Sequence, residues 1–166
     1  MRHLVAFPIL GLAVILQSAI VSRISLLSGY ADIVLIILIG WALQEGVKTA
    51  WHWAVLAAAM TAIVTGLPWG VPLVGYLLAV LIAQTLHKRT WHAPLIAVFT
   101  VTFLASLISY LLSFIFLNLV GASLSFGEAF GLVILPSMLL NLMLAVPIFW
   151  LMRDLARWVN PVEEDD

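Results

Sequence analysis

The stretch SGYADIVLIILIGWALQEG, residues 28–46, decides how the whole chain is read. From Ile33 to Gln44 it carries no charge and almost no polarity, yet an aspartate, Asp32, stands at its head. A carboxylate is among the most expensive groups to place near hydrocarbon. Either Asp32 lies at a water boundary or it has partners inside the protein. Capping is one use for it, because the free amides at a helix start favour a nearby anion. An ion pair is another: Arg23 precedes the run across a short loop. Both uses place Asp32 at an interface, with the two groups at similar depth.

The rest of the chain has the same solvent. Of 166 residues, 64% are hydrophobic and 9% are charged, and the mean hydropathy is +1.19. Soluble domains are about 45–50% apolar and about 25% charged. A chain this short leaves much of its surface exposed, so surface this apolar requires lipid. The net charge of −1 excludes a basic nucleic-acid-binding protein. With no cysteine, disulfides, thiolate metal sites and thiol nucleophiles are excluded too.

About 20 apolar residues cross a bilayer as a helix. Six runs qualify or come close: about 4–21, 30–43, 50–65, 71–86, 94–119 and 130–152. The expected fold is therefore an all-α membrane protein, a six-transmembrane-helix bundle over residues 1–158 with a short acidic tail at 159–166. Runs two to four are short; sixteen residues reach about 24 Å. Runs three and four can alternatively form a re-entrant hairpin. The opening segment resembles a secretory signal, but a retained first helix is expected. With the N-terminus in the cytoplasm, Arg2, Lys48, Lys88, Arg89, Arg153 and Arg157 fall inside and only Arg23 outside. This asymmetry predicts that both termini are cytoplasmic. Tryptophans 41, 51, 53, 91, 150 and 158 are then expected near cytoplasmic helix ends, with Trp69 in an outer turn.

No nucleotide loop, zincin helix or nucleophile elbow occurs. His3, His52, His87 and His92 match no ligand spacing, and Asp32 and Glu128 are lone acids in separate outer loops. No catalytic residue, metal or cofactor is expected.

Packing chemistry is more legible. Gly75, Ala79 and Ala83 recur at intervals of four. Thr102, Ser106, Ser109 and Ser113 share one helix face, and so do Ser137, Asn141 and Ala145. In lipid, small residues and interhelical hydrogen bonds hold helices together. These stripes either hold the bundle or receive a partner's helix. Asn141 is the deepest strongly polar group, between Pro136 and Pro147. It needs a partner such as Gln17, Tyr110 or a carbonyl freed by Pro147.

Three stretches carry a resemblance to a family: LQSAIVSRISLLSGYADIVLIILIGWAL, TGLPWGVPLVGYLLAVLIA and ILPSMLLNLMLAVPIFWLMRDL. They resemble MreD, the small membrane subunit of the bacterial elongation machinery that builds the lateral cell wall. The matching marks are Gln17, Asp32, Gly66, Gly70, Tyr76, Pro136, Asn141 and Pro147. Ala31 stands where the family has a proline, and Ala62 where it often has an acid.

The resemblance implies a non-catalytic scaffold required for rod shape. Its direct partner would be MreC, held by its transmembrane helix and adjacent periplasmic part. RodA, a class B penicillin-binding protein and MreB would lie in the wider complex, and membrane lipid would surround the chain. It also implies a fold similar to the substrate-binding subunits of energy-coupling-factor vitamin transporters. Such a transporter subunit is the alternative function. It would need convergent polar groups in an outward pocket, and the outer loops offer few.

Overall fold

The computed structural model describes residues 5–45, 47, 49–87, 94–123 and 125–159. The expectations for Arg2, His3, Lys48, Lys88, Arg89, Trp91, His92 and the acidic tail lie outside them. The described residues form helices α1 (Ala6–Ala19), α2 (Ile33–Ala42), α3 (Ala50–Thr65), α4 (Gly70–His87), α5 (Pro94–Leu119) and α6 (Phe126–Val159). A 3₁₀ turn at Val21–Arg23 extends α1. No strand occurs among the described residues, only an isolated bridge between Leu26 and Gly29.

Three helical stretches are long and apolar enough to cross a membrane: Ala6–Arg23, Pro94–Leu119 and Phe126–Val159. The other three helices are apolar but shorter.

The aliphatic run after Asp32 lies at the centre. Every residue of α2 except Ile33 is buried, and α2 packs on α1, α3, α4, α5 and α6. Its sequence, IVLIILIGWA, is rich in β-branched residues, which fit a buried strand equally well. Surrounded by helices it has no sheet to join, so only a helix satisfies its backbone from within. Asp32 starts it by accepting the Leu35 N–H at 2.9 Å. Gln44 ends it: its side-chain amide donates to the Gly40 carbonyl at 2.7 Å, filling an acceptor that the helix end leaves open.

Trp41 and Trp53 are core residues, not the interfacial ones that their places in the sequence led us to expect; they are 1% and 0% exposed. Their rings stack at 4.3 Å between α2 and α3. Their neighbours along the chain are small (Gly40, Ala42, Ala54), so a bundle core can close around two large rings. Trp51, Trp69, Trp150 and Trp158 remain on the surface.

α6 is continuous but not uniform. It begins with one α-helical turn, passes through a π-helical segment at Phe130–Ile134, and runs as a regular helix from Leu135. Pro136 explains the irregularity. It lacks an N–H, and its ring crowds the carbonyl four residues back, that of Leu132. The Leu132 carbonyl is left open and accepts the Ser28 N–H at 3.0 Å.

Gly29 sits beside this contact. A Cβ built there would lie 2.7 Å from the Val133 carbonyl oxygen, the Ser137 nitrogen and the Ser137 Oγ. Two of these three are backbone atoms and cannot yield. In α1, by contrast, a Cβ on Gly11 meets nothing within 4 Å. Gly29→Ala should therefore destabilise the protein by about 1–3 kcal/mol through overpacking. Gly11→Ala should be neutral or stabilise by up to about 1 kcal/mol. Unfolding in mixed micelles measures both, and equal stability of the two variants would contradict the close docking of Gly29.

Candidate functional site

Between the turn at Leu26–Gly29 and the start of α2, the chain passes through Tyr30, Ala31 and Asp32 in neither helix nor strand. Such a segment has no internal hydrogen bonds, so its polar groups need partners from elsewhere. The neighbouring helices supply them on two sides.

α6 takes one side. Ser137 Oγ accepts the Tyr30 N–H at 3.0 Å, and Asn141 Oδ1 accepts the Asp32 N–H at 2.7 Å. With Ser28 on the Leu132 carbonyl, alternate amides point at one helix. α1 takes the other side through Gln17. Its amide nitrogen donates to the Ala31 carbonyl at 2.6 Å, and its oxygen accepts the Ile33 N–H at 2.8 Å. The side-chain amide thus acts as one peptide unit of a neighbouring strand.

Further bonds tie these groups together. The Asn141 side-chain nitrogen donates to Ser106 Oγ at 2.9 Å and to the Tyr110 hydroxyl at 3.3 Å. Tyr110 in turn donates to the Tyr30 carbonyl at 3.1 Å. Tyr76 of α4 donates to the Asp32 carboxylate at 3.4–3.5 Å, and its oxygen lies 3.3 Å from Thr61 Oγ1 of α3. Residues from α1, α3, α4, α5 and α6 therefore meet on one non-helical stretch.

The residues singled out in the sequence fall into three groups. Gln17, Asp32, Ser106, Ser137 and Asn141 belong to this network. Of the partners expected for Asn141, Tyr110 is one, whereas Gln17 reaches the same segment from the opposite side. The second group is the pairing of Asp32 with Arg23, which does not occur. Arg23 is exposed, and the ion pair found among the described residues joins Arg153 to Asp154 instead. The turn at Leu26–Gly29 folds Asp32 inward onto α6, and the 3₁₀ turn leaves Arg23 facing outward.

The third group comprises the small-residue stripes. Ala79, Ala83, Thr102, Ser106, Ser137 and Ala145 are all at most 1% exposed. Gly75 packs on Ser109, whose Oγ lies 3.0 Å from where a Cβ would stand. Most of these faces are covered by the chain's own helices. Ser113 lies half-buried at one end of its stripe, bonded to the Ser109 carbonyl at 3.0 Å.

Sequence reasoning named Tyr76 only as a mark of resemblance and missed Thr61 altogether. A signal for Thr61 does exist, since it is one of two hydroxyls in the otherwise apolar C-terminal half of α3, the other being Thr65.

A cavity of about 470 Å³ opens over this network. Asp32, Tyr76, Thr61 and Gln17 contribute to its floor, and Val64, Val71 and Leu117 are among its apolar walls. Sequence reasoning expects the loops to offer few polar groups for a pocket; here Gln17, Thr61 and Tyr76 come to it from helices and join Asp32, the residue just before α2. No metal-binding group of three His, Cys, Asp or Glu occurs among the described residues.

No family model, curated protein or solved structure matches this chain.

The network sets the expected cost of its members. Asn141→Leu removes three hydrogen bonds and strands the Asp32 N–H and the Ser106 hydroxyl. A single interhelical bond in a membrane protein is worth about 0.6 kcal/mol on average. Leaving buried groups unpaired costs more, so about 1–3 kcal/mol is expected. Asp32→Asn keeps an oxygen for the Leu35 amide and should change stability by less than about 1 kcal/mol. Thermal unfolding of the two variants checks this order, and an Asp32→Asn protein less stable than Asn141→Leu would contradict it.

Proposed function

We propose that this chain is a non-catalytic membrane scaffold of the MreD kind, which binds MreC and through it joins the cell-wall elongation machinery. The observation that carries the proposal is a convergence. Gln17, Asp32, Tyr76, Pro136 and Asn141 are marks of the resemblance, drawn from five separate places in the sequence. All five meet at the same non-helical segment: Asp32 ends it, Gln17 and Asn141 bond it, Tyr76 bonds the Asp32 carboxylate, and Pro136 frees the carbonyl that holds Ser28 in the turn before it. Coincidental matches in an aliphatic sequence have no reason to meet in space. These groups serve the chain's own backbone, which is how a scaffold uses polar residues.

In this proposal the six helices all cross a bacterial inner membrane, with both termini in the cytoplasm. The short helices α2–α4 are accommodated by the loops that flank them and by local thinning of the bilayer. The buried stripes are unavailable to MreC, so its transmembrane helix docks on an outward apolar helix face. Its periplasmic part meets the loops at the Tyr30 end of the bundle.

The alternative, a substrate-binding subunit of a vitamin transporter, is favoured by one observation, the cavity over Asp32. Co-expression with MreC separates the two. The scaffold predicts that MreC stays bound through purification in a mild detergent. Loss of MreC together with a vitamin-sized molecule found by mass spectrometry would favour the transporter subunit instead.

The topology has its own test, made clean by the absence of native cysteine. Single cysteines at Ser28, Trp69 and Ser123 should react with a membrane-impermeant reagent added outside. Cysteines beside Lys48 or Lys88 should not, and the reverse pattern would overturn six spans with both ends inside.

A further inference from the structure

The cavity over Asp32 has a chemistry that the scaffold does not use. Its volume, about 470 Å³, lies within the range of small-molecule sites, about 300–1,000 Å³. Its walls are mostly aliphatic. Its floor holds a carboxylate, and no lysine, arginine or histidine is among the residues that line it.

Asp32 is poorly compensated there. One oxygen, Oδ1, accepts the Leu35 amide at 2.9 Å. The other, Oδ2, accepts the Tyr76 hydroxyl at a long 3.4 Å. No cation pairs with it among the described residues. A carboxylate withdrawn from water without a countercharge is destabilising, and an occupant that brings a positive group removes that penalty. Asp32 is only half-buried and lines the cavity, so it remains within reach of such an occupant.

A carboxylate at the floor and an aliphatic remainder together describe one kind of ligand.

We propose that this cavity binds a small amphipathic cation, with an ammonium group seated on Asp32 and an apolar body between α3, α4 and α5. The site is formed by the chain alone and does not depend on MreC.

The test uses the intact chain in neutral maltoside micelles, without MreC, and 4-phenylbutylammonium as the probe. The matched alcohol, 4-phenylbutanol, and the matched acid, 4-phenylbutyrate, are the controls. The ammonium should raise the melting temperature and bind saturably by equilibrium dialysis, and the two controls should not. Asp32→Asn should weaken binding at least tenfold. Ser113→Phe, which fills the cavity without touching the carboxylate, should do the same. An equal effect of the alcohol, or binding retained in both variants, would overturn the proposal. If Asp32→Asn does not fold, Ser113→Phe decides: tenfold weaker binding supports the site and unchanged binding rejects it. Because MreC is absent throughout, failure here leaves the scaffold proposal untouched, and loss of MreC binding would leave the cavity untouched.

Discussion

A non-helical backbone inside a bundle of helices must borrow its hydrogen bonds. The residues from Tyr30 to Asp32 are in that position, and much of the structure follows from how they are supplied. Gln17 serves a carbonyl and an amide on one side, while Ser137, Asn141 and the Leu132 carbonyl serve alternate amides on the other. Remove Gln17 and Asn141 and the buried Ala31 carbonyl and the half-buried Asp32 and Ile33 amides would lose their partners, which costs about 1–3 kcal/mol for a buried group left unpaired. Polar residues in an apolar chain are here the means by which a non-helical segment is tolerated.

The geometry of the rest follows from that segment. Because the chain is non-helical up to Asp32, α2 begins deep in the bundle and is only ten residues long. Five more helical residues before Ile33 would add about 7.5 Å. Tyr30, Ala31 and Asp32, just before α2, line the cavity together with residues of α1, α3, α4, α5 and α6. Close docking on α6 likewise demands Gly29 at the contact and a carbonyl left open by Pro136. Non-helical segment, short central helix, irregular α6 and cavity are parts of one arrangement.

Several of these features are legible in the sequence alone. The aliphatic runs and the loops between them locate all six helices, since glycine, proline and charge mark the breaks. Gln17, Asp32 and Asn141 stand out because polarity is rare in this chain and needs a reason. The place of α2 is less legible. A run that is apolar on every side looks the same whether lipid or protein surrounds it, and only packing shows it to be the core. The pairing of Asp32 with Arg23 fails for a similar reason: nearness in sequence says nothing about which way a turn sends two side chains. Tyr76, Tyr110 and Thr61 converge from three helices, and no local pattern in the sequence registers that meeting.

The central claim is that side chains of α1 and α6 hold the non-helical segment's amides. Amide hydrogen exchange of the chain in lipid nanodiscs tests it most directly. If those side chains are the partners, the Tyr30, Asp32 and Ile33 amides exchange slowly although they lie outside any helix's internal hydrogen bonding. Asn141→Leu then speeds exchange at Asp32, Gln17→Leu speeds it at Ile33, and each leaves the interior of α5 protected. Exchange at Tyr30, Asp32 and Ile33 as fast as at the exposed Ile24, or protection unchanged in both variants, would contradict the account.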